Sequence, residues 1–230
     1  MNEVSLSPAQ LAAYIDHTWL KPDATTKDIE KLCTEAREHR FFSVCVNGAR
    51  VVQARHFLEG TEVKVACVVG FPLGAMTSDA KRFETETAVD DGAEEIDVVL
   101  NIGRLKDDDD KYVLRELYEV VEAADERIVK VILETCLLTR EEKTRACRIV
   151  LESGAQFVKT STGFSADGAS LADVKLMRET VGERFGVKAS GGIRDAKTAL
   201  AMLAAGATRL GTSASVAIVK GLSEVHTDAY

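Results

Sequence analysis

Residues Gly154-Ala155-Gln156-Phe157-Val158-Lys159-Thr160-Ser161-Thr162-Gly163 (GAQFVKTSTG) place a helix stop, a short apolar run and a glycine-containing turn in immediate succession. Glycine is the usual left-handed residue just past a helix, and the same Gly-Ala punctuation returns at Gly92-Ala93 and Gly206-Ala207. Each pair closes a helical pattern and leads into an apolar stretch. Such runs recur at fairly even intervals: Tyr14–Asp16, Phe42–Val46, Val63–Val69, Glu95–Leu100, Ile128–Leu133, Phe157–Thr160, Gly186–Ala189 and Thr208–Gly211. After the short first one they are compact, as strands covered on both faces should be. Helical periodicity fills the gaps, with Val113, Leu114, Leu117, Val120, Val121 and Ala124 at three-to-four spacing, and Leu171, Val174, Met177 and Val181 likewise. Thr139-x-x-Glu142 and Ser170-x-x-Asp173 read as capping boxes at helix starts. The aspartate run Asp107–Asp110 reads as the solvated start of another helix, where the dipole favours negative charge. Strand–helix alternation without a linker predicts one (β/α)8 TIM barrel over residues 1–230. A doubly wound open sheet is the alternative, but no G-x-G-x-x-G follows the early strands.

The 230 residues are 46% hydrophobic and 29% charged, enough for one large core. A net charge of −8 with no long basic run disfavours a nucleic-acid partner, though it leaves room for a local anion site. No apolar stretch reaches membrane-spanning length, and the N-terminus has none of the regions of a signal peptide. Five scattered cysteines without a C-x-x-C pair predict free thiols in a reducing cytoplasm. Cys45, on the second strand, reads as a buried structural thiol.

Lysines separate by their place in the strand. Lys64 and Lys130 stand at strand beginnings, so they are expected at the N-terminal face of the barrel with stems snorkelling to water. Lys159 and Lys188 stand near the ends of neighbouring strands, at the face where barrel active sites lie. Two desolvated ammonium groups side by side push a lysine pKa down and free an amine as a nucleophile. Asp97 is a charge inside an apolar strand; if Ile96 and Val98 face the helices, Asp97 and Asn101 face the barrel interior. A lysine across the barrel would then partner Asp97, whether for proton transfer or as a structural ion pair. Asp16 and Thr18 fit a pocket or a cap of the first loop equally well. Two closing segments, SGGIRDAK and LGTSAS, run from strand through small residues to helix and suit an anion. Gly191, Gly192, Gly211 and Ser213 are the candidates, with Arg194 supplying charge; Ser215 fits either that site or an exposed helix position.

YIDHTWLKPDAT, FFSVCVN, VVGFPLGAMTSDAKRFE, GAEEIDVVLNIG, VKVILET, FVKTSTGF, GVKASGGIRD and LGTSAS together resemble the deoxyribose-phosphate aldolase family, over about residues 14–216. The resemblance implies a class I aldolase on a TIM barrel that reversibly cleaves 2-deoxy-D-ribose 5-phosphate to acetaldehyde and D-glyceraldehyde 3-phosphate. It implies Lys159 as the Schiff-base lysine, Lys188 as the lysine that lowers its pKa, and Asp97 as the proton-transfer partner. Gly163, Gly192, Arg194 and Ser213 fall where the family binds phosphate. It further implies a homodimer, no metal and no organic cofactor, because the imine serves as electron sink. Trp19 stands where leucine is expected, and Phe164 where some members carry lysine. Residues from about 221 are expected as a mobile tail, ending in Tyr230 where some members place an assisting tyrosine. The rivals are another lysine-imine barrel enzyme and a phosphosugar-binding barrel without catalysis.

Overall fold

Gly92, Gly154 and Gly206 adopt φ of +102°, +84° and +111°, each turning the chain out of a helix toward the next strand. That conformation is open to glycine at no steric cost. Helix starts are equally legible. Thr139 and Glu142 form the predicted capping box, Ser170 accepts from the Asp173 N–H, and Asp109 accepts from the Tyr112 N–H. The aspartate run is therefore a helix start, as its charge suggests.

The structure, a computed structural model, describes residues 6–227, with side chains described as far as Leu222. The elements run α1 (Pro8–Ala12), β1 (Ile15–Thr18), α2 (Thr26–His39), β2 (Ser43–Val46), α3 (Val51–Phe57), β3 (Lys64–Val69), α4 (Ser78–Asp90), β4 (Glu95–Val99) and α5 (Ile102–Lys106). They continue with α6 (Asp110–Ala123), β5 (Ile128–Ile132), α7 (Arg140–Glu152), β6 (Phe157–Lys159), α8 (Leu171–Val181), β7 (Gly186–Ser190), α9 (Ala196–Ala204), β8 (Arg209–Thr212) and α10 (Ser215–Thr227). All eight strands pair in parallel, in chain order, and β8 returns to β1 to close the barrel. The TIM barrel expected from the sequence is the fold observed.

Apolar side chains alternate along the strands to make two unequal interiors. The large core lies between barrel and helices, with Ile15, Val44, Val65, Ile96, Val98, Val129, Val131, Val158 and Val187 facing Leu32, Leu117, Ile149, Val174, Met177 and Ile218. Each such fully buried aliphatic contributes about 1.5–3 kcal/mol. A small second cluster of Leu20, Cys45, Ala66 and Val68, with Phe71 packed against it, is separate from the large core. Much of the remaining barrel interior is charged.

Helix α10 continues through residue 221 to Thr227. Ile218, Val219 and Leu222 are buried in the core and anchor it. Tyr230 lies outside the described residues. Among those residues, no helix is long and apolar enough to cross a membrane.

Candidate active site

The short strand β6 delivers Lys159 at its end, and β7 delivers Lys188 alongside it, the two being partners in the ladder register. Strand β4 contributes Asp97 by the predicted alternation, with Ile96 and Val98 in the outer core. Asp97 is wholly buried. Its Oδ2 accepts from Lys159 Nζ at 2.7 Å and Lys188 Nζ at 2.6 Å, while its Oδ1 accepts from Lys130 Nζ at 2.6 Å. Lys188 is also 2.5 Å from Asp16 Oδ2.

These contacts set the charge states. Burial opposes ionisation of Asp97, but Lys130, Lys159 and Lys188 outweigh it and hold the carboxyl well below its usual range. Asp16 is held down likewise, against burial, by Lys188, Arg209 and Lys130. Lys188 is desolvated too, yet Asp16 and Asp97 hold its pKa above the ordinary value. Lys159 goes the other way: burial, aided by the charge of Lys188, outweighs the attraction of Asp97 and lowers its pKa. Of these two lysines, only Lys159 becomes the weaker base.

Lys159 lines a cavity of about 470 Å³ at the C-terminal end of the barrel. Thr18, Gly163, Gly191, Gly192, Arg194, Gly211 and Ser213 line the same cavity, so seven of the eight residues expected to bind substrate surround one space. Gly163, Gly191 and Gly192 adopt φ of +84°, +86° and +78°. The backbone N–H groups of Gly163, Gly192 and Ser213 hold no protein partner among the described residues, and Arg194 pairs with no carboxylate there. Gly211 has a further reason to be glycine: a Cβ there would stand 3.0 Å from Lys188 Cε. Thr18 hydroxyl donates to the Asp16 carbonyl at 2.9 Å, which orients the rim above Asp16.

Four expectations need correction. Asp16 does not line the cavity; it is fully buried, held by Lys188 and Arg209. Lys130 does not snorkel to water; it is fully buried between Asp97 and Glu95. Asn101 does not face the barrel, because β4 ends at Val99 and strand alternation stops there. It caps α5, its side chain accepting from the Arg104 N–H. Ser215 is neither an exposed helix residue nor part of the cavity wall; it is buried, 2.8 Å from His17 Nδ1, and its hydroxyl reaches the Thr212 carbonyl. Lys64, in contrast, is only partly buried at the start of β3, as its place suggested, and its Nζ also lies over the Phe42 ring. Cys45 is buried, and burial raises its thiol pKa.

Other residues were not anticipated at the site. Lys21, Thr162, Ser190 and Ile193 also line the cavity, beside Trp19 and Phe164. Lys21 lies over the Trp19 ring at 5.0 Å, and Phe164 meets Phe71 edge-on at 5.1 Å. The two positions that depart from the family pattern are thus both on the cavity wall. Glu95 and Arg209 complete the charges beneath.

The match to the family model described as DeoC/LacD family aldolase covers residues 10–222. The chain belongs to this aldolase family. A deoxyribose-phosphate aldolase of Alkaliphilus oremlandii (strain OhILAs) is 62% identical over 91% of this chain and 95% of its own length. One of Bdellovibrio bacteriovorus is 58% identical over 92% of this chain and 96% of its own. Among solved structures, the aldolase QR15 superposes with a TM-score of 0.91 at 40% identity, covering 96% of this chain and 99% of that one. All the cavity residues fall within the span matched to the aldolase family.

Proposed function

We propose that this aldolase cleaves 2-deoxy-D-ribose 5-phosphate reversibly to acetaldehyde and D-glyceraldehyde 3-phosphate through a Schiff base on Lys159. The observation that carries the reading is the placement of one weakened base, Lys159, at a cavity whose wall also holds three left-handed glycines and an unpaired arginine. An amine that is uncharged near neutral pH attacks an aldehyde carbon, and the carbinolamine loses water to give an imine. The protonated imine then takes the electron pair as the bond between C2 and C3 breaks. The glyceraldehyde phosphate leaves, and the enamine of acetaldehyde stays on Lys159. Asp97, in contact with both amines, passes protons between Lys188 and the reacting nitrogen or oxygen. The phosphate sits against Gly163, Gly192, Ser213 and Arg194, and binding there holds the carbonyl over Lys159. The names of the relatives support the substrate.

Borohydride trapping tests this reading. Incubation with acetaldehyde or 2-deoxyribose 5-phosphate, then reduction and peptide mapping, should give one adduct, on Lys159. An adduct on Lys188 would exchange the two roles, and no adduct on folded protein would remove the imine mechanism.

A further inference from the structure

The buried charges inside the barrel form a closed circuit. Asp97 Oδ1 meets Lys130 at 2.6 Å, and Lys130 meets Glu95 Oε2 at 2.7 Å. The same Glu95 oxygen lies 3.2 Å from Arg209 Nη1, which lies 2.8 Å from Asp16 Oδ1. Asp16 Oδ2 meets Lys188 at 2.5 Å, and Lys188 returns to Asp97 Oδ2 at 2.6 Å. Acid and base alternate all the way round, three of each, and every member touches two of opposite sign. Lys159 is outside the circuit. It makes one contact, at 2.7 Å, to an Asp97 oxygen that Lys188 already uses.

We infer that this ring is a charge-balancing device in which Arg209 and Glu95, remote from the cavity, act as positioning residues that keep Lys159 uncharged. The inference rests on the imine reading of Lys159. The physical basis is neutrality in a desolvated space: an unbalanced buried charge costs far more than a paired one. Three carboxylates meet three cations in the ring, so a proton on Lys159 is the surplus charge. That proton is the one least supported by contacts. The lowered basicity of Lys159 and the raised basicity of Lys130, Lys188 and Arg209 follow the same division.

Among the described residues, the other buried carboxylate at this end, Glu134 just past β5, accepts from the Thr162 N–H and hydroxyl and makes no ion pair with Lys159. From β2, Cys45 approaches Lys159 as a buried thiol whose raised pKa keeps it neutral. From β3, the small inner cluster receives only Ala66 and Val68. Lys21 and Arg194, the charged residues that share the cavity with Lys159, are cations and add to the surplus. A simpler scheme, in which Lys188 alone suppresses the proton on Lys159, leaves no role for Arg209 or Glu95.

The two schemes part on removing charge from the far side of the ring. With Arg209→Gln, Asp16 loses a cation and draws on Lys188 alone. Lys188 then relinquishes part of Asp97, and the space holds one carboxylate more than its remaining ring cations. Lys159 should take up a proton to balance it. With Glu95→Gln the surplus is positive and Lys159 should lose its proton more readily. The double variant restores the balance.

The experiment measures the rate of borohydride trapping of acetaldehyde on Lys159 against pH, in the wild type and all three variants. Arg209→Gln should move the midpoint up by about one pH unit, which lowers trapping on the acid side about tenfold. Glu95→Gln should move it down, and the pair should return it to the wild-type value. A merely structural role changes the amount of active protein without moving the midpoint. Unmoved midpoints in the single variants would overturn the inference while leaving the Schiff base intact. Absence of any Lys159 adduct in the wild type would instead remove the reading on which it rests. Should Arg209→Gln fail to fold, Glu95→Gln and the double variant still decide, because the opposite shift and its reversal are both required.

Discussion

Lys81 in the helix layer and Lys159 on the barrel axis are both deeply buried, both touch a carboxylate, and both have a lowered pKa led by desolvation. Lys81 reaches from α4 to Glu116 of α6 at 2.5 Å and to the Val99 carbonyl at 2.8 Å, tying two helices to the end of β4. Burial also raises Glu116, so both partners are drawn toward their uncharged forms. Nothing opens onto this amine: Lys81 is wholly inaccessible, and its Cε would stand 3.0 Å from a Cβ at Gly70. Lys159 shares its carboxylate with a stronger base and opens onto a cavity large enough for a sugar phosphate. Weakening an amine by burial is therefore common to a strut and to a reactive group. Access and the surrounding charge count distinguish them.

Exchanging the two amines for apolar groups breaks the comparison most sharply. Lys159→Ala should lower turnover by on the order of 10⁴-fold or more, since the covalent route is lost entirely. It should abolish the trapped adduct and leave the melting temperature within a few degrees. Retained turnover at even a tenth of the wild-type rate would reassign the nucleophile. Lys81→Met should do the reverse, leaving kcat within about twofold while costing about 3–5 kcal/mol of unfolding free energy, because Glu116 is left buried without its cation. That cost has a pH signature. Without Lys81 the Glu116 pKa in the folded state lies further above its unfolded value of about 4.5. A group raised on folding stabilises below its unfolded pKa and loses that contribution as pH rises through the folded one. The penalty in denaturant titrations should thus shrink on going from pH 7 to pH 5. A penalty independent of pH would show that Glu116 keeps its charge.

Why Lys159 was legible in the sequence and the burial of Lys130 was not is a matter of depth along the strand. Lys159 and Lys188 announce themselves by standing just before glycine-containing turns at strand ends, and the helix stops at Gly92, Gly154 and Gly206 made the barrel countable. Lys64 is the first residue of β3, whereas Lys130 stands at the middle of β5, in register with Asp97, and shares its inward side. Lys64 has the same inward parity as Ala66 and Val68 but opens its strand, so depth along the barrel, and not the side faced, separates the two lysines. Arg209 is inward as the ladder partner of Lys188. Glu95 was within reach: it stands two residues before Asp97, so the alternation that buries one buries the other. Its partners were not, because they come from β5 and β8. Ser215 and Lys81 are missed for a different cause, since a helix start and a helix face carry no mark of which polar side chain is covered by a neighbour.

Arg194 sharpens the comparison from its exposed end. It is exposed on the cavity wall and ion-paired to no carboxylate among the described residues. Its contribution should be to hold the phosphate and not to take part in bond breaking. Arg194→Ala should raise KM for 2-deoxyribose 5-phosphate about tenfold, the loss of one charge-assisted contact, with kcat reduced less. The same variant should trap acetaldehyde on Lys159 at the wild-type rate and with the wild-type midpoint, since that substrate carries no phosphate. If trapping falls as far as turnover of the sugar phosphate, Arg194 acts on the amine through the electrostatics of the cavity. The surplus-cation count would then have to extend beyond the barrel interior to the wall.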